Sequence, residues 1–472
     1  MNRSLRSLTL AAALLVGAAF AQTDPVGTWQ GAITLPGGAL DVRATFTLEG
    51  AALAGTLDIP AQGLIAFPLD PVTLDGDALR FGMAGIPGDP VFEGTIAGDA
   101  VEGTFTQGGQ GFPFTLERTE ATNLRPQEPQ PPFPYLEEEV TFASGDVTLA
   151  GTLTLPEGDD RVPAVLLITG SGPQDRNEEI VGHTPFLLLA DRLTRAGFAV
   201  LRVDDRGVGG STGSDGDAAF TDLAADVGAG LDLLAVHPRV DADAMGLLGH
   251  SQGGYLAPYV AAERDDVAFA ILMAGPSVDG FAVLEVQNEL LIVRTLEGQG
   301  APQDVIDAAV ADQLAFLRAL QPLLQSEDLE GARALVRERI EAELANAPAD
   351  QRPSPEELEA LIAAQQDATT APSFRAFLTF DPRPYLEQLD VPTLALFGGL
   401  DFQVDAAQSE GPMREALAGN PDATVLVFEG LNHLMQPATT GLLEEYGAID
   451  VTIDEAVLDA IVGWATERFV DR

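Results

Sequence analysis

The stretch Met245–Glu263, MGLLGHSQGGYLAPYVAAE, joins a short apolar segment to one with helical spacing through Gly-His-Ser-Gln-Gly. A strand that passes directly into a helix needs a tight turn, and glycines on either side of a serine allow the backbone to make it. A serine in such a turn presents its hydroxyl at the edge of the sheet. The stretch therefore predicts a buried strand (245–248), a sharp turn and a helix (254–263), with Ser251 as a candidate nucleophile.

A second match to the same G-x-S-x-G pattern lies upstream, where residues 209–213 read Gly-Gly-Ser-Thr-Gly. This match is followed by a glycine- and aspartate-rich segment without helical spacing, so it lacks the helix that a nucleophile turn requires. Ser211 is therefore interpreted as a loop or capping serine.

The segments around Ser251 set the fold class. From Val162 onward, wholly apolar stretches such as VPAVLLITG (162–170), FAVLRVDD (198–205) and FAILMAG (269–275) alternate with stretches of helical spacing. Continuous apolar strands that alternate with helices are typical of a parallel sheet covered on both faces. The sequence predicts an α/β domain.

The remaining chain divides by composition. Residues 1–21 combine two arginines, an apolar run and Ala19-Phe20-Ala21, which predicts a signal peptide and export to the periplasm or the extracellular space. Residues 22–118 carry short alternating runs separated by turn residues, which predicts an antiparallel β sandwich or barrel. Both substrate or partner binding and simple stabilisation are open roles for this accessory domain.

A linker and a catalytic domain follow. Five prolines fall between residues 126 and 134, so 119–135 is predicted to be a stiff, extended linker. The catalytic domain is expected to span 136–472. No other segment is long and apolar enough to span a membrane.

Composition excludes several functions. The formal net charge is −47 and all 25 basic residues are arginine, so the surface repels nucleic acid and anionic lipid. The absence of lysine is explained equally well by codon bias and by adaptation to a salty extracellular setting. There is no cysteine and there are only four histidines, so neither a metal site nor a cofactor is expected. Catalysis must depend on oxygen nucleophiles and carboxylates.

A serine nucleophile needs a histidine base and a carboxylate to orient it, and in this type of fold they follow in the order serine, acid, histidine. His433 is the only histidine after Ser251. Asp401 directly follows the apolar strand 391–399 and is the first choice for the acid. Asp405 and Asp279 are the alternatives.

Backbone amides must bind the oxyanion that forms during acyl transfer. The residue after the nucleophile, Gln252, should supply one amide. The second should come from Gly170-Ser171-Gly172, which follows the strand ending at Thr169, and Ser171 is the better candidate there.

Between the strand that ends near Gly275 and Asp401 the chain is longer than one helix requires. Helical spacing recurs in this region, and it predicts a helical cap at about 278–372 over the active site. The alternative is that these helices extend the core. The predicted helical segments are 281–297, 302–324, 327–346 and 354–367.

From about residue 135 the chain resembles the α/β-hydrolase superfamily, and within it the bacterial exported serine esterases. The resemblance rests on GSGPQDR at 170–176, DDRGVGGS at 204–211 and HLMQ at 433–436. Ser211 belongs to the second of these motifs, which explains the false match.

The resemblance implies an α/β-hydrolase fold, with a mostly parallel doubly wound sheet and an inserted helical cap, preceded here by the small antiparallel all-β domain. It also implies a small-molecule ester as substrate and a Ser251, Asp401 and His433 triad. A peptidase or amidase of the same fold is the alternative. A more remote one is a binding protein whose hydrolase domain is inactive.

Overall fold

The structure is a computed structural model. It describes residues 24–36, 38–49, 52–62, 64–119, 125–345 and 352–470. The predicted signal peptide lies outside the described residues, as does the 120–124 part of the predicted linker. The chain divides into two compact units, Met1–Ile59 with Leu64–Thr122, and Asn123–Arg472 with Pro60–Gly63.

The N-terminal unit is an antiparallel sheet in the order β4-β3-β2-β1-β9-β8-β7-β6-β5. Its strands are β1 (Gly27–Leu35), β2 (Gly38–Glu49), β3 (Ala52–Ile59), β4 (Leu64–Pro68), β5 (Val72–Asp75), β6 (Ala78–Gly82), β7 (Val91–Ala97), β8 (Ala100–Gln107) and β9 (Gln110–Thr119).

The alternating pattern of these strands buries one face of the sheet around a single apolar core. Four phenylalanine rings pack at its centre, with Phe81 stacked on Phe92 at 4.6 Å between ring centroids and both in edge contact with Phe114. Phe46 meets the edge of Phe81. The predicted all-β domain is confirmed as one continuous sheet, rather than two facing ones.

The C-terminal unit contains a second sheet, in the order β10-β11-β13-β12-β14-β15-β16-β17. β10 and β11 pair antiparallel, β11 pairs antiparallel with β13, and the rest of the sheet is parallel. The strands are β10 (Leu136–Ser144), β11 (Val147–Leu155), β12 (Val162–Ile168), β13 (Ala199–Val203), β14 (Val240–His250), β15 (Val267–Met273), β16 (Thr393–Gly398) and β17 (Ala423–Phe428).

Helices cover both faces of this sheet, because alternate residues of each apolar strand point to opposite sides. On β14, Leu247 joins one buried cluster with α2 and α3, and Leu248 joins another with α1 and α12. The helices are α1 (Pro185–Arg195), α2 (Phe220–Val236), α3 (Gly253–Glu263), α4 (Gly280–Gly298), α5 (Gln303–Gln325), α6 (Leu329–Ala345), α7 (Pro355–Thr370), α8 (Pro372–Thr379), α9 (Arg383–Leu386), α10 (Ala406–Ala416), α11 (Leu443–Tyr446) and α12 (Glu455–Phe469).

Helices α4 to α9 lie between β15 and β16, and this insertion has a small apolar core that includes Phe281, Leu320 and Leu378. The Ser354 hydroxyl accepts a hydrogen bond from the Glu357 amide at the start of α7, and the Glu357 carboxylate accepts one from the Ser354 amide. This capping box fixes where the helix begins. The inserted helical cap of the predicted fold is therefore present.

No helix among the described residues is long and apolar enough to cross a membrane.

Candidate active site

Ser251 lies between the end of β14 and the start of α3, with its backbone in the left-handed region at φ +53°. This conformation costs a non-glycine residue roughly 1–3 kcal/mol and is concentrated at functional sites. A Cβ on Gly249 would clash with the Gly253 carbonyl, and one on Gly253 would clash with the Ile168 carbonyl. Glycine on both sides is therefore required by the close approach of neighbouring backbone.

Ser211 is buried, and its hydroxyl is fully engaged. Its Oγ donates to the Asp204 carbonyl at 2.7 Å and accepts from the Ala150 amide at 2.9 Å. These bonds tie the glycine-rich loop to β11, and they give this serine a structural role, as the sequence interpretation holds.

Asp401 and His433 lie together at the carboxyl end of the sheet, after β16 and β17. The distance between His433 Nδ1 and Asp401 Oδ2 is 2.7 Å, and the Asp401 side chain is fully buried. Because a carboxylate only accepts, Nδ1 carries the proton and Nε2 is left as the basic nitrogen. The other oxygen of Asp401 accepts from the amides of Gln403 and Val404.

The two alternative acids, Asp405 and Asp279, accept hydrogen bonds at the starts of helices. Asp405 accepts from the Gln408 amide at the start of α10, and Asp279 accepts from the Ala282 amide at the start of α4. Both are helix caps, so their carboxylates are used by the backbone.

The two candidate oxyanion donors line the same cavity as Ser251. Ser171 lies in the loop after β12, and Gln252 follows Ser251 directly. Neither amide donates a hydrogen bond to any residue that the structure describes. Two unpaired amides beside the nucleophile suit an oxyanion site.

The cavity has a volume of roughly 530 Å³, and the insertion supplies much of its wall. Apolar side chains from α4, α8 and the loop after β16 face it, as do seven polar residues that include Asp215 and Gln403. Sequence reasoning missed α8, which begins at the residue where the predicted cap ends. The apolar lining includes Val283, Leu284, Phe374, Phe377 and Val404.

The GSGPQDR and DDRGVGGS motifs hold each other in place. Arg176 donates to both oxygens of Asp204, at 2.7 and 3.0 Å, and its own amide donates to the same carboxylate. Burial opposes ionisation of Asp204, but Arg176 and the Gly210 amide outweigh it and hold the pKa of this carboxyl below its usual range. The motifs thus fix the loop that carries Ser171.

Asp205 joins the same two loops by accepting from the Thr169 hydroxyl and the Gln174 amide, each within 3.0 Å. Burial raises the pKa of Asp205 well above its ordinary value. No group of histidine and carboxylate side chains among the described residues could hold a metal ion.

Sequence reasoning also missed Glu178, a fully buried carboxylate that contacts His250. His250 directly precedes Ser251 in the Gly-His-Ser-Gln-Gly turn, and nothing in the local sequence marks it as more than a turn residue. Glu178 sits in a loop without periodic pattern, 72 residues before its partner, so no local signal could have found it.

The C-terminal unit has the α/β-hydrolase fold, a mostly parallel sheet with helices on both faces. Residues 184–309 match the family described as serine aminopeptidase, S33. The chain is 28% identical over 334 residues to Esterase EstD of Thermotoga maritima, covering 70% of this chain and 69% of that protein. These two matches identify the protein as a hydrolase.

Two solved structures also resemble the chain. An esterase of Pyrococcus furiosus gives a TM-score of 0.43 at 13% identity, over 71% of this chain and 91% of that one. An esterase of Exiguobacterium antarcticum gives 0.39 at 18% identity, over 70% and 99%.

Proposed function

We propose that the protein is a serine carboxylic-ester hydrolase that works through an acyl-enzyme. The observation that carries the proposal is the buried contact between His433 and Asp401 in a fold whose strand-to-helix turn holds Ser251. A histidine oriented by a buried carboxylate is the base that a serine hydroxyl needs.

In the proposed reaction His433 Nε2 takes the proton of Ser251 while Oγ attacks the ester carbonyl. The amides of Gln252 and Ser171 stabilise the oxyanion, and the alcohol leaves with the proton from His433. Water then repeats these steps on the acyl-enzyme, releasing the acid and the free serine. Asp401 keeps the imidazole in one tautomer and stabilises its charged form throughout.

The cavity supports a small ester with an apolar acyl or alcohol group, because the insertion contributes several apolar side chains to its wall, Phe374 and Phe377 among them. Similarity to an esterase points the same way.

A peptidase or amidase of the same fold is the second candidate, favoured by the match to an aminopeptidase family. The carboxylate of Asp215 lines the cavity and could meet a substrate amino group. Burial, which outweighs the attraction of Arg206, raises the pKa of Asp215 and so weakens it as an anion at that place.

A panel of p-nitrophenyl esters and aminoacyl p-nitroanilides, assayed with wild type and Ser251→Ala, tests the proposal. Ester hydrolysis with kcat/KM far above that for the anilides is expected, together with its loss in Ser251→Ala. Faster anilide than ester turnover would favour the peptidase. Equal ester turnover by Ser251→Ala would overturn the serine mechanism.

A further inference from the structure

Glu178 and His250 lie beneath the candidate active site, and both are almost completely removed from solvent. Glu178 is held at φ +52°, a strained conformation for a residue with a side chain. Its Oε1 accepts from the Gly170 amide at 2.7 Å and lies 2.8 Å from His250 Nδ1. The other ring nitrogen, Nε2, lies 3.1 Å from the carbonyl oxygen of His433.

These contacts form a continuous series of hydrogen bonds between two loops. Gly170 precedes Ser171 in the loop after β12, and His433 lies in the loop after β17. A methyl group built on Gly170 would lie 3.3 Å from Ser251 Cβ, which places this backbone against the nucleophile. The rings of His250 and His433 are 4.8 Å apart. The pair therefore touches both halves of the proposed catalytic machinery.

With Glu178 ionised, counting donors and acceptors gives the protonation of His250. A carboxylate oxygen and a carbonyl oxygen only accept hydrogen bonds, and His250 has one of these at each ring nitrogen. Both ring nitrogens then donate, so His250 is an imidazolium and the ionised Glu178 is its counter-ion. Burial alone would lower the pKa of His250, but Glu178, the His433 carbonyl and Asp401 together raise it above its ordinary value.

We propose that Glu178 and His250 form a buried ion pair that positions the oxyanion loop and the histidine loop relative to Ser251. The proposal rests on the proposed function. Neither residue touches the reacting atoms, so both are positioning residues. An ion pair is suited to this task because charge-assisted hydrogen bonds are roughly twice as strong as neutral ones.

The substitution Glu178→Gln tests the charge while keeping the shape. If the amide oxygen of the glutamine accepts from Gly170 and His250 Nδ1, a neutral His250 has no proton left for the His433 carbonyl. If the amide nitrogen faces His250 instead, the Gly170 amide loses its acceptor. Either way one loop loses its anchor, and small displacements of catalytic groups cost up to about 10²-fold in rate.

Steady-state kinetics should show kcat lowered about 10- to 100-fold in Glu178→Gln, with KM within about threefold of wild type. The matched control is Glu138→Gln, because Glu138 pairs with His237 at 3.3 Å, away from the cavity, with a half-exposed carboxylate. This control should keep wild-type kcat. A wild-type kcat in Glu178→Gln would overturn the proposal, as would a loss confined to KM.

Nuclear magnetic resonance of histidine-labelled protein reads the protonation directly, since the chain has only four histidines. At about pH 8, where an ordinary histidine is neutral, one histidine of the wild type should carry protons on both ring nitrogens. That signature should be lost in Glu178→Gln and kept in Glu138→Gln. Its absence from the wild type would overturn the ion pair without any need for a folded variant.

The Ser251→Ala variant distinguishes a failure of the ion-pair proposal from a failure of the proposed serine mechanism. If Ser251→Ala hydrolyses esters as fast as wild type, the serine mechanism fails. The doubly protonated histidine is expected in that variant all the same. If Ser251→Ala is inactive and no histidine is doubly protonated, the ion pair alone fails.

Discussion

Both carboxylate oxygens of Asp401 have hydrogen-bond partners. One oxygen faces His433 Nδ1, and the other accepts from two backbone amides in the turn that follows β16. The amides fix the direction of the carboxylate, and the carboxylate fixes the imidazole. A change at this residue should therefore alter proton transfer before it alters the fold.

Replacing Asp401 with asparagine should lower kcat by about 10⁴-fold, because the amide group forces His433 into the wrong tautomer. The amide oxygen can still accept from Gln403 and Val404, so the melting temperature should change little. The control is Asp405→Asn, since asparagine caps a helix as well as aspartate does. Near wild-type activity in Asp401→Asn, or a comparable loss in the control, would assign the acid elsewhere.

Chain order and local pattern were enough to nominate Ser251, Asp401 and His433 from the sequence. Each follows an apolar strand, and the carboxyl ends of parallel strands meet at one edge of a sheet. Glu178 and His250 could not be found in this way. Their roles depend on which acceptor lies at each ring nitrogen, and that is set by loops distant in sequence.

The long helices of the insertion could be predicted from the sequence, and the short helix α8 could not. The four helical segments of the insertion correspond to α4 to α7, whose apolar spacing extends over several turns. Helix α8 has 8 residues, too few for a periodic signal, and it follows α7 after a single residue. Phe374 and Phe377 on α8 nevertheless line the cavity.

The contacts of the proline-rich segment before β10 also could not be predicted from the sequence. Its composition predicts a stiff linker, yet Arg125 is buried and donates to the carbonyls of Gly182, Ile449 and Gly447 at 2.9 to 3.1 Å. Gln127 donates to the Ile453 carbonyl. Composition gives the stiffness of a segment but not the backbone groups it meets.

Arg125→Gln should therefore lower the free energy of unfolding of the C-terminal unit by about 2–4 kcal/mol, because buried carbonyls lose their donor. Calorimetry of the full chain would measure the shift. Arg161→Gln, an exposed arginine of the same unit, is the control and should leave the transition in place. An unchanged transition in Arg125→Gln would mean that these bonds add nothing to stability.

The whole chain carries a large negative charge, which should limit its stability. A formal net charge of −47 over 472 residues makes the folded chain repel itself, and salt screens that repulsion. The melting temperature should rise as NaCl is increased from ~0.01 M to ~0.5 M, where the Debye length falls well below 10 Å. A flat or falling melting temperature would show that carboxylate repulsion does not limit stability.

Fluorophosphonate labelling tests whether Ser251 is an activated nucleophile beside a formed oxyanion site. Such a probe reacts only with a serine whose proton is withdrawn and whose oxyanion donors are in place. Mass spectrometry of the labelled protein should find the adduct on Ser251 in wild type and in Ser211→Ala, and none in Ser251→Ala. An adduct on Ser211, or undiminished labelling of Ser251→Ala, would show that Ser251 is not the nucleophile.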